Sequence, residues 1–187
     1  MSEPRIGRVL VASLHQSIAD VLPDRLEFYE NWLSVSGLRE GRIGLAPLSA
    51  VLSFLRREGE AYSAVTERAG RYAAEWTVRG LPAVERRVVR LLPAPLRARA
   101  ALRTARALVR TTYPGSRAIV RVRRGVASID LRGSLFCEVR EASALPLCGF
   151  YRAAIAHVLQ LVAVDVDAQV VEGRAAGARG GCAFTFR

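Results

Sequence analysis

The chain has 187 residues, about half of them apolar, and a formal net charge of +11. That length and apolar content argue against a disordered chain and for one domain, 1–187, with a sizeable core. No apolar run approaches the ~20 residues of a membrane-spanning helix, and three cysteines do not make a disulfide scaffold.

The opening Met-Ser-Glu-Pro-Arg lacks the basic-then-apolar build of a secretory signal. A cytoplasmic location with reduced thiols is therefore expected. All 28 cationic side chains are arginine, and twelve of them fall between Arg86 and Arg124, where there is no Asp or Glu. Such a strip can attract nucleic acid, anionic lipid or an acidic protein. Arginine is also spread through the rest of the chain and lysine is absent. A composition biased to arginine explains the strip as well, which disfavours nucleic acid as its partner.

In chain order, Val9, Leu10, Leu14 and Ile18 recur at helical spacing and Pro23 closes that segment. A second helix is expected from about Pro23 to Ser36, stopped by Gly37, with a loop from Leu38 to Ala46. Pro47 suits a first helical turn, and Leu48, Val51, Leu52 and Leu55 form an apolar stripe that Gly59 ends. Residues 60–78 make an amphipathic helix with Tyr62, Val65, Ala69, Tyr72, Ala73 and Trp76 near one face. Core packing explains that aromatic stripe best. Val84, Val88 and Leu91 precede a break at Pro93-Ala-Pro95, and Leu96 to Arg110 follows. In this arginine-rich part the apolar positions can pack while the guanidinium groups reach water.

After the turn signal Tyr113-Pro-Gly-Ser the period changes. Ala118–Arg123 and Val126–Leu131 alternate as a hairpin would, with Arg124-Gly125 between them. Gly133–Val139 is a short strand or loop, and Cys148–Leu161 is helical in pattern. Ala163–Glu172 and Cys182–Phe186 read as strands joined by the glycine-rich turn Gly177–Gly181. The expected class is α+β: a helical part over about 1–112 packed on a small antiparallel sheet, with a helix-strand-strand unit closing the part from about 113 to 187.

The chemistry-bearing residues gather in the last quarter. Cys148, Glu172 and Cys182 are candidate metal ligands of the zinc type, and Cys137 is a fourth candidate. There is no Cys-x-x-Cys, and on the pattern alone Cys137 and Cys148 as small buried hydrophobes beside a turn carboxylate at Glu172 are the better reading. His15 and His157 are the two histidines, and His157 lies in an apolar helix. No Gly-x-Ser-x-Gly elbow, phosphate loop or His-Glu-x-x-His is present, so an enzyme is disfavoured.

Gly133-Ser134-Leu135-Phe136, then Pro146-Leu147-Cys148 opening a helix, then Val170-Val171-Glu172 and Cys182-Ala183-Phe184 resemble the four-vinyl reductase domain. Its pattern is roughly Asn-Ser-x-Phe, Pro-Val-Cys before a helix, Glu-x-x-Cys, a glycine-rich turn and Cys-x-Phe. The resemblance covers about the last 55 residues, and it implies a fold like that of vesicle-tethering TRAPP subunits. It further implies a dimeric bacterial module, sensory or accessory, for an apolar or tetrapyrrole-like ligand. The alternatives are a scaffold whose docking surface is the Arg86–Arg124 strip, and an enzyme of tetrapyrrole metabolism. The implied ligand pocket is apolar and lies near the helices at 148–161 and 60–78. Tyr72, Trp76, Phe136, Tyr151, Arg152 and His157 are its candidate contacts. In the phenol-sensing relatives a Cys, a Glu and two further Cys hold zinc; Cys148, Glu172 and Cys182 match three of these positions. The fourth falls at or near Ala175, which has no ligating atom, leaving Cys137 or water to complete the set.

Overall fold

The computed structural model describes residues 6–33, 44–123, 126–137, 147–162, 164, 168–174 and 181–186, with backbone alone at 123, 168–174 and 181. Seven α-helices and four strands occur among them. They are α1 (Arg8–Val21), α2 (Leu26–Glu30), α3 (Leu45–Arg57), α4 (Glu60–Arg79), α5 (Ala83–Leu91) and α6 (Ala94–Thr112), then β1 (Arg117–Arg123), β2 (Val126–Arg132), α7 (Gly149–Leu161), β3 (Ala168–Arg174) and β4 (Gly181–Phe186). Short 3-10 turns occupy Pro23–Arg25 and Leu135–Cys137. The class is α+β, as expected. No helix among the described residues is long and apolar enough to cross a membrane.

Periodicity explains the helices. Leu10, Val11, Leu14 and Ile18 of α1 are buried, as are Leu48, Val51, Leu52 and Leu55 of α3 and Ala101, Leu102, Ala105, Leu108 and Val109 of α6. Two helices differ from the sequence reading. The segment after Pro23 is a 3-10 turn followed by the short α2 rather than one helix to Ser36. Residues 34–43 lie outside the described residues, and Leu45 and Ala46, expected to end the loop, instead open α3. In α5 no residue is buried: Val84, Val88 and Leu91 do not pack but face outward.

The sheet order is β1-β2-β4-β3, antiparallel throughout. Ile129 pairs with Phe184 and Leu131 with Cys182, all four buried, so these positions form the inner face. The turns expected at Arg124-Gly125 and Gly177–Gly181 fall mostly outside the described residues.

Buried apolar residues from Ile6 to Phe186 form one cluster. At its centre α4 packs along α7. The contact is built on Ala69, Gly70, Ala73 and Ala74 of α4 against Phe150, Tyr151, Ala154 and Ile155 of α7, all buried. At Gly70 an added Cβ would sit 2.2 Å from the Phe150 carbonyl oxygen. That neighbour is backbone and cannot rotate away, so glycine is required. An ion pair from Arg152 to Glu67 and a hydrogen bond from His157 Nε2 to Glu75 Oε1 at 3.3 Å tie the rims of this contact.

Gly70→Ala is expected to cost about 2 kcal/mol or more, as overpacking against rigid backbone does. Arg71→Ala, on the exposed side of the same helix, should stay within about 0.5 kcal/mol of the parent. Urea unfolding of the two variants checks the difference.

Candidate metal centre

Three elements distant in sequence bring the cysteines together. Cys137 closes the 3-10 turn after β2, Cys148 is the N-cap of α7, and Cys182 lies on the inner face of β4. All three are buried. Their sulfurs lie within 4.8 Å of one another. Cys148 Sγ contacts both Cys137 Sγ and Cys182 Sγ, and Cys137 Sγ is 3.2 Å from Cys182 Sγ. A cysteine sulfur forms one S–S bond, so two disulfides cannot share Cys148. At most one of these contacts is a disulfide: Cys148 and Cys182 are at bonding distance with an ordinary torsion, and the Cys137 sulfur lies against that pair.

Each thiol is held through its neighbours. Gly133 begins the turn that delivers Cys137. Its φ is +65°, and an added Cβ would meet the Gly115 carbonyl oxygen at 2.4 Å. The Cys137 N–H donates to the Ser134 carbonyl at 2.9 Å. Arg56 of α3 donates from Nη2 to the Phe136 carbonyl at 3.3 Å. On the other side, the Tyr62 hydroxyl of α4 donates to the Leu147 carbonyl at 2.8 Å, immediately before Cys148. Ser134 Oγ, buried as well, lies 3.7 Å from Cys148 Sγ.

A second polar chain fixes α7. Ser116 donates to the Gly133 carbonyl at 2.8 Å and Thr112 to the Val109 carbonyl at 2.8 Å. The Tyr151 hydroxyl lies within hydrogen-bond distance of both oxygens, at 3.2 and 3.3 Å, and its one proton serves one of them at a time. Burial pushes the Tyr151 phenol above its ordinary range, opposed by those two hydroxyls. Burial likewise raises Tyr62 to about 12, with Arg56 pulling the other way.

Cys148 sits at the amino end of a 13-residue helix, where backbone N–H groups stabilise negative charge. Arg56, bonded to the residue before Cys137, has a buried Nε with no hydrogen-bond partner among the described residues.

Of the four ligand candidates, the structure joins Cys148 and Cys182 and adds Cys137, the one read as the spare. Glu172 is on β3 opposite Ala183, the residue after Cys182, and its side chain is outside the described set, as is Ala175. The ligand-contact candidates are in three places. Phe136 stacks on Phe150 at 4.9 Å and meets Tyr151 edge-on at 5.6 Å, both in the core beside the thiols. Arg152 and His157 are on α7, engaged by carboxylates of α4. Tyr72 stacks on Trp76 at 5.8 Å and donates to Asp20 of α1, whose carboxyl is held below its usual range mainly by that bond. Neither of two concavities described on the surface is lined by any of the six. Sequence reasoning missed Arg56 and Tyr62 as supports of the centre, since each acts on a carbonyl about 80 residues away, which no local pattern encodes.

Comparison with protein-family models, with curated proteins and with solved structures gives no match to this chain.

Tyr62→Phe removes the bond to Leu147 and is expected to cost about 1 kcal/mol at neutral pH. A phenol raised on folding contributes stability that is complete below pH 10 and is lost as pH climbs toward 12. Denaturant midpoints across that interval should fall more steeply for the parent than for Tyr62→Phe.

Proposed function

We propose that the chain is a non-catalytic binding module whose buried thiol centre, Cys137, Cys148 and Cys182, holds a thiophilic cation of the zinc class. What supports this is the convergence of three buried sulfurs on one point, beside a helix amino end. Zinc takes thiolates at about 2.3 Å, which places sulfurs of a tetrahedral site about 3.8 Å apart. Cys137 and Cys182 are 3.2 Å apart and Cys148 Sγ is closer to both, so the site must be reduced and all three pairs must open to admit the ion. Three thiolates leave a fourth position, for which Ser134, Glu172 or water are the candidates. When bound, the ion would cross-link β2, α7 and β4. The protein's own part is to exclude water and favour the ionised Cys148 sulfur through the amino end of α7.

The reading is that of a module similar to the four-vinyl reductase domain, with Cys137 in place of the ligand absent at Ala175. Gly133, where that pattern has Asn, adopts a left-handed conformation that Gly and Asn share. A sensory or accessory role for an apolar ligand rests on the same resemblance. A candidate place is the cleft lined by Val78, Leu81, Val89, Ala101, Val158 and Leu161. Its free volume is about 20 Å³, against several hundred for an ordinary ligand pocket, so a ligand there must displace α5. Ligand binding is thus secondary to the metal centre in this proposal.

Purified under reducing conditions without chelator, the parent should carry about one zinc per chain by elemental analysis. Cys137→Ser, Cys148→Ser and Cys182→Ser should each lose most of it. Parent protein with no bound metal, or with a disulfide in its intact mass under those conditions, would refute the assignment.

A further inference from the structure

Helix α5 and the start of α6 form a surface that the thiol centre does not explain. Val84, Val88 and Leu91 stand one turn or nearly one turn apart on α5, and they are 75%, 51% and 80% exposed. Leu96, at the start of α6, is 43% exposed. The helix attaches to the body through Val89, which is partly buried against the core. Arg87 and Arg90 flank the outward stripe and are themselves exposed. Together with Arg86, Ala83 and Leu91 they line an open concavity of about 530 Å³. Farther along, Arg99, Arg103, Arg106 and Arg110 are exposed along α6, and no acidic residue occurs from 86 to 124.

We infer that this face docks peripherally on an anionic phospholipid surface. The arginines match phosphate, which a guanidinium can grip with two N–H groups. A polyphosphate such as RNA would satisfy the arginines but leave the aliphatic stripe in water. A bilayer interface takes both: aliphatic tips enter the acyl boundary while arginine heads stay at the phosphates, as in amphipathic helices lying in the interface plane. A second copy of this chain would bring like charges together. At nine residues α5 is far too short to span, so it lies on the surface, and the three-arginine concavity is the headgroup seat.

The test is co-sedimentation of the full chain with vesicles of phosphatidylcholine alone or mixed with phosphatidylglycerol. Binding should require phosphatidylglycerol. Val88→Ser/Leu91→Ser, which leaves the charge unchanged, should weaken it on the order of tenfold. Arg87→Glu/Arg90→Glu should weaken it by at least as much. All four side chains are exposed, and unchanged thermal melts would show that the fold is intact. Absence of binding to the mixed vesicles at low salt would overturn the inference. So would unchanged vesicle affinity of the serine variant, or displacement of the vesicles by RNA or an acidic peptide at equal charge. Each would leave only a general polyanion or protein surface.

Discussion

Helices α4 and α7 meet so closely at Gly70 that not even a methyl group fits between them, and the rest of the C-terminal half is hung from that contact. It sets the height and direction of α7, and therefore where Cys148 at its amino end can lie. Tyr62, two turns before Gly70 on the same helix, reaches the carbonyl just ahead of Cys148. One helix thus positions α7 twice, by steric contact along its length and by a hydrogen bond at its start. Arg56, on the preceding helix, does the corresponding work for the Cys137 turn. The N-terminal helices are in this sense the frame on which the thiol centre is aligned.

Electrostatics and packing act together at that centre. Three thiols pressed together gain little over one or two as buried hydrophobes. A cation gives all three a common partner, and buried thiolates are costly without one. The amino end of α7 would lower that cost at Cys148. Phe136 and Phe150, neighbours of Cys137 and Cys148 in sequence, stack on one another in the same buried region. A metal held there would bind β2, α7 and β4 to one another. The sheet, which meets the helices mainly through β1 and β3, would then be fastened from its inner strands too.

Much of this was legible in the sequence because it is periodic. The stripe in α3, the alternation in β1 and β2, and the helix after Cys148 follow from side-chain spacing alone. The period also pointed at Val84, Val88 and Leu91 as a packing stripe, yet they face water. Spacing tells that a face is apolar, not what covers it. Cys148 and Cys182 were candidate ligands in the sequence, with Cys137 as the spare, and all three lie together. The approach of Cys137 depends on the left-handed turn at Gly133 and on the register of Leu131 with Cys182, neither of which has a local signature. Arg56 and Tyr62 were invisible for the same reason: their partners are carbonyls, which carry no residue identity.

The most direct measurement of the metal-centre claim is zinc-edge X-ray absorption on the zinc-loaded parent protein. Three sulfurs at about 2.3 Å with one oxygen or nitrogen beside them is the predicted shell. A shell with fewer than three sulfurs, or one made of oxygen and nitrogen alone, would contradict a centre built from Cys137, Cys148 and Cys182.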